Sequence, residues 1–266
     1  MRAMPIRIIT GRTGLYQMRA SFKKNWKHYL QEALGLAIFM ISACLFGTLL
    51  ESQEGYLHHL IADSFLRLVL MGLAMGTTAL FIFYSPLTAP SGAHINPAVS
   101  LSFLRIGKMC PWDFLFYCLF QAIGGIAAVS IMQYLLGKSL INPPVNSVVT
   151  VPAAGTVPAL VIEFSIAFVT MSMVLFTSHH PRLKKFTRIF AACMVVAWVI
   201  LAGPVSGFGM NPARSFASAL PANIWTDFWI YLLAPMVGML SATEFFLLVS
   251  PATRKKHSLT SKMISL

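Results

Sequence analysis

Six long stretches with at most two charged residues each constrain this sequence more than any other feature. A helix needs roughly 20 mostly apolar residues to cross the hydrocarbon core of a bilayer. Apolar residues form 57% of the chain and charged residues 11%, whereas a soluble domain has about 25% charged residues. The sequence therefore predicts an all-α membrane protein whose six transmembrane helices lie at residues 30–50, 66–84, 113–136, 158–178, 187–206 and 227–249.

Two further apolar stretches, residues 96–104 and 211–220, are too short to cross the bilayer. Both open with Asn-Pro-Ala, a sequence in which Asn suits the helix cap and Pro suits the first helical position. A broken helix is tolerated in lipid only where protein or water satisfies its backbone polar groups. We therefore expect two re-entrant half-helices, which begin at Asn96, Pro97 and Ala98 and at Asn211, Pro212 and Ala213.

The basic residues predict the orientation of the chain. Of the 20 Lys and Arg residues, 17 fall in an N-terminal arm (1–27), a C-terminal tail (251–266) and two connections on the same side. An excess of Lys and Arg marks the cytoplasmic side of a membrane protein. Both termini are therefore predicted to be cytoplasmic, and we expect a partly disordered arm. The net charge of +12 is then a topology signal, and no nucleic-acid partner is expected.

An internal repeat relates the two halves of the chain. The pattern Asp-Phe-x-x-Tyr begins at Asp113, 17 residues after Asn96, and again at Asp227, 16 residues after Asn211. The predicted channel domain (28–250) thus divides into repeats at 28–137 and 158–250, joined by an outer loop at 138–157. Each repeat holds three spans and one half-helix, and because three is odd, the second repeat is inverted.

An inverted 3+3 repeat points both half-helix N-termini at the bilayer centre. Each N-terminus carries about half a positive elementary charge, so we expect cations to be repelled and uncharged molecules to pass. The Asn amides can donate hydrogen bonds to such a molecule, and backbone carbonyls before each Asn can accept them. The residues that we expect to supply these pore-lining carbonyls are Gly92, His94, Ile95, Gly207, Phe208 and Gly209.

The segments at 91–99 (SGAHINPAV) and 209–215 (GMNPARS) resemble the paired signatures of the major intrinsic proteins, the aquaporins and aquaglyceroporins. The resemblance covers about residues 28–250. It implies a six-helix, two-half-helix fold, a homotetramer with one pore per subunit, passive conduction of water or small uncharged solutes, and a place in the plasma membrane. Exclusion of ions by half-helix dipoles and an Arg is the general mechanism of aquaporin-type pores.

The same resemblance assigns further site residues. It implies a selectivity constriction formed by Met75, Val199, Phe208 and Arg214, with Gly76 as the alternative to Met75. It also implies that Glu32 and Glu163 are structural anchors for the loops that lead into the half-helices. Phe208 stands where some family members carry a mercurial-reactive Cys, so no block is expected at that point.

The predicted constriction leaves the solute open. Val199 replaces the His of strict water channels, and Phe208 resembles the aromatic residue of glycerol facilitators. We therefore expect water conduction, with glycerol, urea, ammonia or hydrogen peroxide as a main or additional permeant. An ion-coupled transporter and a structural scaffold are the rival hypotheses. We expect no enzymatic activity, no cofactor and no metal site. The sequence contains neither a catalytic motif nor Cys and His residues at the spacing of metal ligands.

Overall fold

The computed structural model describes residues 12–250 of the chain. The first residues of the predicted arm, 1–11, and the predicted tail, 251–266, lie outside the described residues. Within the described part, six helices are long and apolar enough to cross a membrane. We call the side on which α1 begins the inner side, which the sequence predicts to be cytoplasmic.

The six long helices and the two half-helices follow one another in the order that the sequence predicts. The six long helices are α1 (Arg12–Glu51), α3 (Ser64–Tyr84), α5 (Pro111–Leu136), α7 (Thr156–His179), α8 (Thr187–Ser206) and α10 (Phe228–Val249). The two half-helices are α4 (Pro97–Arg105) and α9 (Pro212–Ala222). Two single-turn helices, α2 (Tyr56–Leu60) and α6 (Lys138–Ile141), lie in outer connections.

Helix α1 begins at Arg12, well before the expected start of the span at residue 30, and runs unbroken through the described part of the arm. Within the described residues, this helix crosses the predicted domain boundary at residue 28 without a break. The first turn of α5 explains why, since Oδ1 of Asp113 accepts hydrogen bonds from Ser21, Asn25 and Tyr29. These contacts hold two turns of the basic segment in helical register against α5.

Two glycines allow the long helices of each repeat to touch. Any Cβ placed on Gly124 of α5 would collide with the carbonyl group of Ala33 in α1. In the second repeat, Gly238 of α10 approaches the carbonyl group of Phe164 in α7 in the same way. Small residues permit such close backbone approach between helices in lipid. Because Ala33 and Phe164 directly follow Glu32 and Glu163, these crossings also fix the depth of the two glutamates.

The outer loop at 138–157 is more than a connection between the repeats. The side chains of Leu140, Val145 and Ser147 are buried. The Thr150 hydroxyl donates a hydrogen bond of 3.0 Å to the Ser215 hydroxyl of half-helix α9. The loop therefore packs over the outer half-helix and supports it from outside. Sequence reasoning predicted only the position of this loop.

We expect Gly124→Ala to destabilise the protein by about 1 to 3 kcal/mol, the usual cost of inserting a methyl group into a packed site. The added methyl group would clash with backbone atoms of Ala33, which cannot move aside by changing rotamer. Gly203→Ala is the matched control, because the nearest atom to its added Cβ is a Leu68 methyl group at 3.7 Å. Thermal unfolding in detergent measures both, and equal unfolding temperatures would contradict the predicted crossing.

Candidate functional site

The N-termini of the two half-helices meet at the centre of the molecule. The Asn96 amide nitrogen donates to the carbonyl oxygen of Met210 at 2.9 Å, and the Asn211 amide nitrogen donates to the carbonyl oxygen of Ile95 at 2.7 Å. Each Asn therefore holds the backbone that leads into the opposite half-helix. The two predicted motifs are brought together by reciprocal hydrogen bonds.

Each Asn side chain also caps its own half-helix. Oδ1 of Asn96 accepts from the N–H of Ala98, and Oδ1 of Asn211 accepts from the N–H groups of Ala213 and Arg214. An Asn amide nitrogen carries two protons, and the opposite carbonyl uses one of them. A second donor thus remains on each Asn, and both residues line a central cavity.

The segments before the two motifs have a strained backbone. Positive φ angles occur at Ala93 (49°) and Ile95 (43°) in the first, and at Phe208 (52°) and Met210 (46°) in the second. This region is uncommon for any residue with a Cβ, and especially so for the β-branched Ile95. Alternating signs of φ turn successive N–H groups to one side, where they form a concave anion site called a nest.

The anion in each nest is a buried glutamate. Glu32 accepts hydrogen bonds from the N–H groups of His94 (2.9 Å) and Ile95 (2.6 Å). Glu163 accepts from the N–H groups of Gly209 (2.7 Å) and Met210. Both carboxylates are fully buried. The strain in each loop is thus offset by charge-assisted hydrogen bonds, which are about twice as strong as neutral ones.

Serine and tyrosine residues complete each anchor, and sequence reasoning did not assign them. Ser91 and Ser206 donate to Glu32 and Glu163, respectively, each at 2.6 Å. Tyr117 donates to the Ser91 carbonyl, and Tyr231 to the Ser206 carbonyl, each at 2.7 Å. The Asp-Phe-x-x-Tyr repeat already aligns the two tyrosines, and extending the alignment to five residues before each Asn would have revealed the matched serines.

A cavity of about 330 Å³ runs along the two loops and both asparagines. It extends from Lys184 and Arg188 near the inner side to Arg214, one turn outward along α9. Among the described residues, its ionisable side chains are these three cations and His94, and no carboxylate lines it. The wall is thus polar along the two loops and positive at both ends.

Arg214 has an exposed fraction of 9%, and its Nη1 has no hydrogen-bond partner among residues 12–250. A buried donor without a partner costs about 1 to 3 kcal/mol. Arg214 lines the cavity, so its guanidinium places a positive charge in the wall at this point.

The comparison with known proteins identifies the family. A model of the family described as "Major intrinsic protein" matches residues 19–246 of this chain. The chain belongs to the major intrinsic protein family. The resemblance that the two Asn-Pro-Ala motifs carry is thereby confirmed.

Relatives within the family include proteins from plants. "Probable aquaporin NIP7-1" of Arabidopsis thaliana is 28% identical over 239 residues, which cover 89% of this chain and 81% of the relative. "Aquaporin NIP2-2" of Zea mays is 33% identical over 64% of this chain and 58% of the relative. The solved aquaglyceroporin from Plasmodium falciparum has a TM-score of 0.71 and 21% identity, over 86% of this chain and 98% of its own. This similarity confirms the predicted membrane fold.

Two of the four constriction residues that the family resemblance implies lie beyond the cavity. Met75 and Val199 are buried in one apolar cluster with Phe208, and only Phe208 and Arg214 line the described cavity wall. However, Met75 lies one turn outward of Ala79 on α3, and Val199 lies one turn outward of Val195 on α8. Both Ala79 and Val195 line the cavity, so the same helix faces continue to Met75 and Val199.

The alternative at the first constriction position, Gly76, faces a different way. Its Cβ direction points at Val196 and at the Ala192 carbonyl, both on α8. Gly76 is therefore part of the contact between α3 and α8. This geometry favours Met75 as the residue that faces the pore.

The predicted set of pore-lining backbone groups needs two changes. Gly207 lies outside the described cavity wall, where it ends α8 in a left-handed conformation with φ of 76°. Ala93 and Met210, which were not predicted, do line the cavity, together with Gly92, His94, Ile95, Phe208 and Gly209. The Ile95 and Met210 carbonyls each accept a hydrogen bond from the opposite Asn, which leaves only one lone pair for a solute.

We expect Glu163→Gln to lower the free energy of unfolding by at least about 2 kcal/mol, since an unsatisfied buried donor costs about 1 to 3 kcal/mol. The amide keeps one acceptor oxygen and turns an NH₂ group toward the N–H groups of the nest. Glu244→Gln is the control, because this residue is partly exposed and pairs with Arg105. Thermal unfolding and gel filtration in detergent measure both, and identical profiles would refute the anchoring role.

Proposed function

We propose that this chain is a passive transmembrane channel for water and small uncharged solutes. Its membership of the major intrinsic protein family supports this function. The observation that carries the proposal is the cavity that passes between two apposed half-helix N-termini, each with a spare Asn donor and a row of carbonyl acceptors. A solute crossing there exchanges its water partners for these groups, so the barrier to an uncharged molecule is low.

The same geometry opposes the passage of cations. Two N-termini contribute about half a positive charge each at the centre, Arg214 adds a full charge outward, and Lys184 and Arg188 add charge at the inner mouth. A cation would meet this positive potential while it lacks its hydration shell, and no carboxylate of the described wall compensates it. Proton and metal-ion flux are therefore expected to be absent.

We further propose that Met75, Val199, Phe208 and Arg214 form the selectivity constriction. Three apolar side chains and one donor make a wall that water can pass in single file and that tolerates carbon-bound hydrogens. This composition supports conduction of water together with glycerol or another small uncharged solute such as urea. A facilitator whose main role is glycerol transport is the second candidate, favoured by Phe208 in the cavity wall.

The rival functions find less support in the site. An ion-coupled transporter needs a titratable group or a cation site near the midplane, but Glu32 and Glu163 are engaged by the loop N–H groups, and Nδ1 of His94 is paired with the Ser100 hydroxyl. Flux that is independent of proton and sodium gradients would exclude it. We expect no catalytic activity, because the polar groups of the cavity act as caps, anchors and solute contacts.

The distribution of basic residues supports a chain with both termini in the cytoplasm. We propose the plasma membrane as its location and a homotetramer with one pore per subunit as its assembly, by analogy with the family. The lipid-facing surface offers many exposed apolar side chains for contacts with lipid or with other subunits.

Stopped-flow light scattering on proteoliposomes tests the function directly. We expect fast shrinkage in a sucrose gradient and fast re-swelling in a glycerol gradient for the wild type. Val199→His introduces a donor and a larger ring into an apolar cluster, so it should reduce glycerol permeability by roughly tenfold, as one lost methylene-sized space does in a fitted pocket. Slow re-swelling of wild-type vesicles in glycerol would exclude the glycerol function and leave the water channel.

Mercurial sensitivity tests the place of Phe208 in the pore. We expect Phe208→Cys to become sensitive to block by a mercury compound, because a thiolate at this point of the wall binds the metal inside the pore. Cys193→Ser, at an exposed position on α8, is the matched control for nonspecific reaction. Block that is equal in wild type and Phe208→Cys would place the sensitive thiol elsewhere.

A further inference from the structure

Thr170 is a polar residue of the cavity wall that neither the motifs nor the constriction accounts for. It lies on α7 with an exposed fraction of 8%, among the residues that line the cavity. Its hydroxyl contacts the Met210 sulfur at 3.4 Å. Thr170 therefore contacts the side chain of the residue that directly precedes Asn211.

A second side chain fixes the direction of this hydroxyl. The indole N–H of Trp198 on α8 donates to Oγ1 of Thr170 at 2.8 Å. An indole nitrogen is a donor only, so Trp198 must occupy a lone pair of the hydroxyl oxygen. The hydroxyl proton is then directed away from Trp198, toward Met210 and the cavity.

The hydrogen-bond capacity of Thr170 is only partly used. A hydroxyl has one proton and two lone pairs; Trp198 takes one lone pair, and a thioether sulfur, which is a weak acceptor, takes the proton. One lone pair of the hydroxyl oxygen remains unused. The hydroxyl can also exchange its weak hydrogen bond to sulfur for a stronger one to a solute oxygen at a small free-energy cost. Thr170 can therefore both accept from a solute hydroxyl and donate to it.

We propose that Thr170, oriented by Trp198, is a further solute-contacting residue that favours polyols over water. This inference rests on the proposed channel function and extends it to the class of solute. The asparagines only donate and the loop carbonyls only accept, so a solute with one hydroxyl or a water molecule is satisfied by those groups. A solute with adjacent hydroxyls has a further group to satisfy, and Thr170 in the wall of the same cavity can pair with it.

The test compares glycerol and water permeability of the same proteoliposomes. Thr170→Val keeps the shape of the side chain and removes the hydroxyl, so the ratio of glycerol to water permeability should fall by roughly 3- to 10-fold, the effect of one net hydrogen bond. Trp198→Phe removes the orienting N–H and keeps a ring, so a smaller fall in the same ratio is expected. Thr170→Ser should restore the ratio toward the wild-type value.

Thr243→Val is the matched control, because Thr243 is a fully buried threonine that bonds to the Met239 carbonyl of its own helix at 2.8 Å. It should leave the ratio unchanged. An unchanged ratio in Thr170→Val, or wild-type vesicles that conduct water but not glycerol, would overturn the inference and leave the channel function standing. Wild-type vesicles that conduct neither would remove the proposed function itself.

Discussion

The structure depends on two buried carboxylates, each enclosed by a loop of strained backbone. The hydrocarbon core offers no water to a broken helix, so the N–H groups of an unwound segment need partners in the protein or in a water-filled cavity. Glu32 and Glu163 supply partners that are charged and therefore strong. They turn the N–H groups of the loops inward to the protein, which leaves the carbonyl groups of the same loops free to line the cavity. Pore polarity is thus a consequence of how the loops are anchored.

The two anchors are related by the repeat but are not equally strong. Glu32 has a fourth partner, because Gln121 of α5 donates to it at 2.8 Å. The second repeat has Pro235 at the corresponding place in α10, which offers no such donor. However, the second half-helix has support from the outer loop through Thr150 and Ser215. The first half-helix is therefore reinforced at its glutamate anchor, and the second is supported additionally by the outer loop.

Much of the fold and part of the site could be predicted from the sequence. Apolar length and the Asn-Pro caps defined the span and half-helix boundaries to within about two residues, apart from α1, because burial in lipid and capping are local properties. Hydropathy could not predict that α1 extends through the basic arm, since that extension depends on the contact of Ser21 with Asp113 on another helix.

The remaining differences have the same origin. Gly207 was expected to line the pore because it precedes the second motif, yet its left-handed conformation serves to end α8. Thr170 was not expected there because it looks like an ordinary span residue in sequence, and Met210, which directly precedes Asn211, was left out of the predicted set of carbonyl groups. Which side chains face a pore between six helices depends on the rotation of each helix, and the weak amphipathicity of lipid-embedded helices carries little information about that rotation.

The crossed hydrogen bonds between the asparagines and the opposite carbonyls have a consequence for how such a duplicated protein can evolve. After an ordinary gene duplication, each copy is free to accumulate changes without regard to the other. Here the side chain of one copy completes the backbone of its twin, so a replacement at residue 96 alters the environment of residue 210, and a replacement at residue 211 alters that of residue 95. Substitutions at the centre of the molecule are consequently coupled between the two repeats, whereas the outer surfaces of the repeats can change independently.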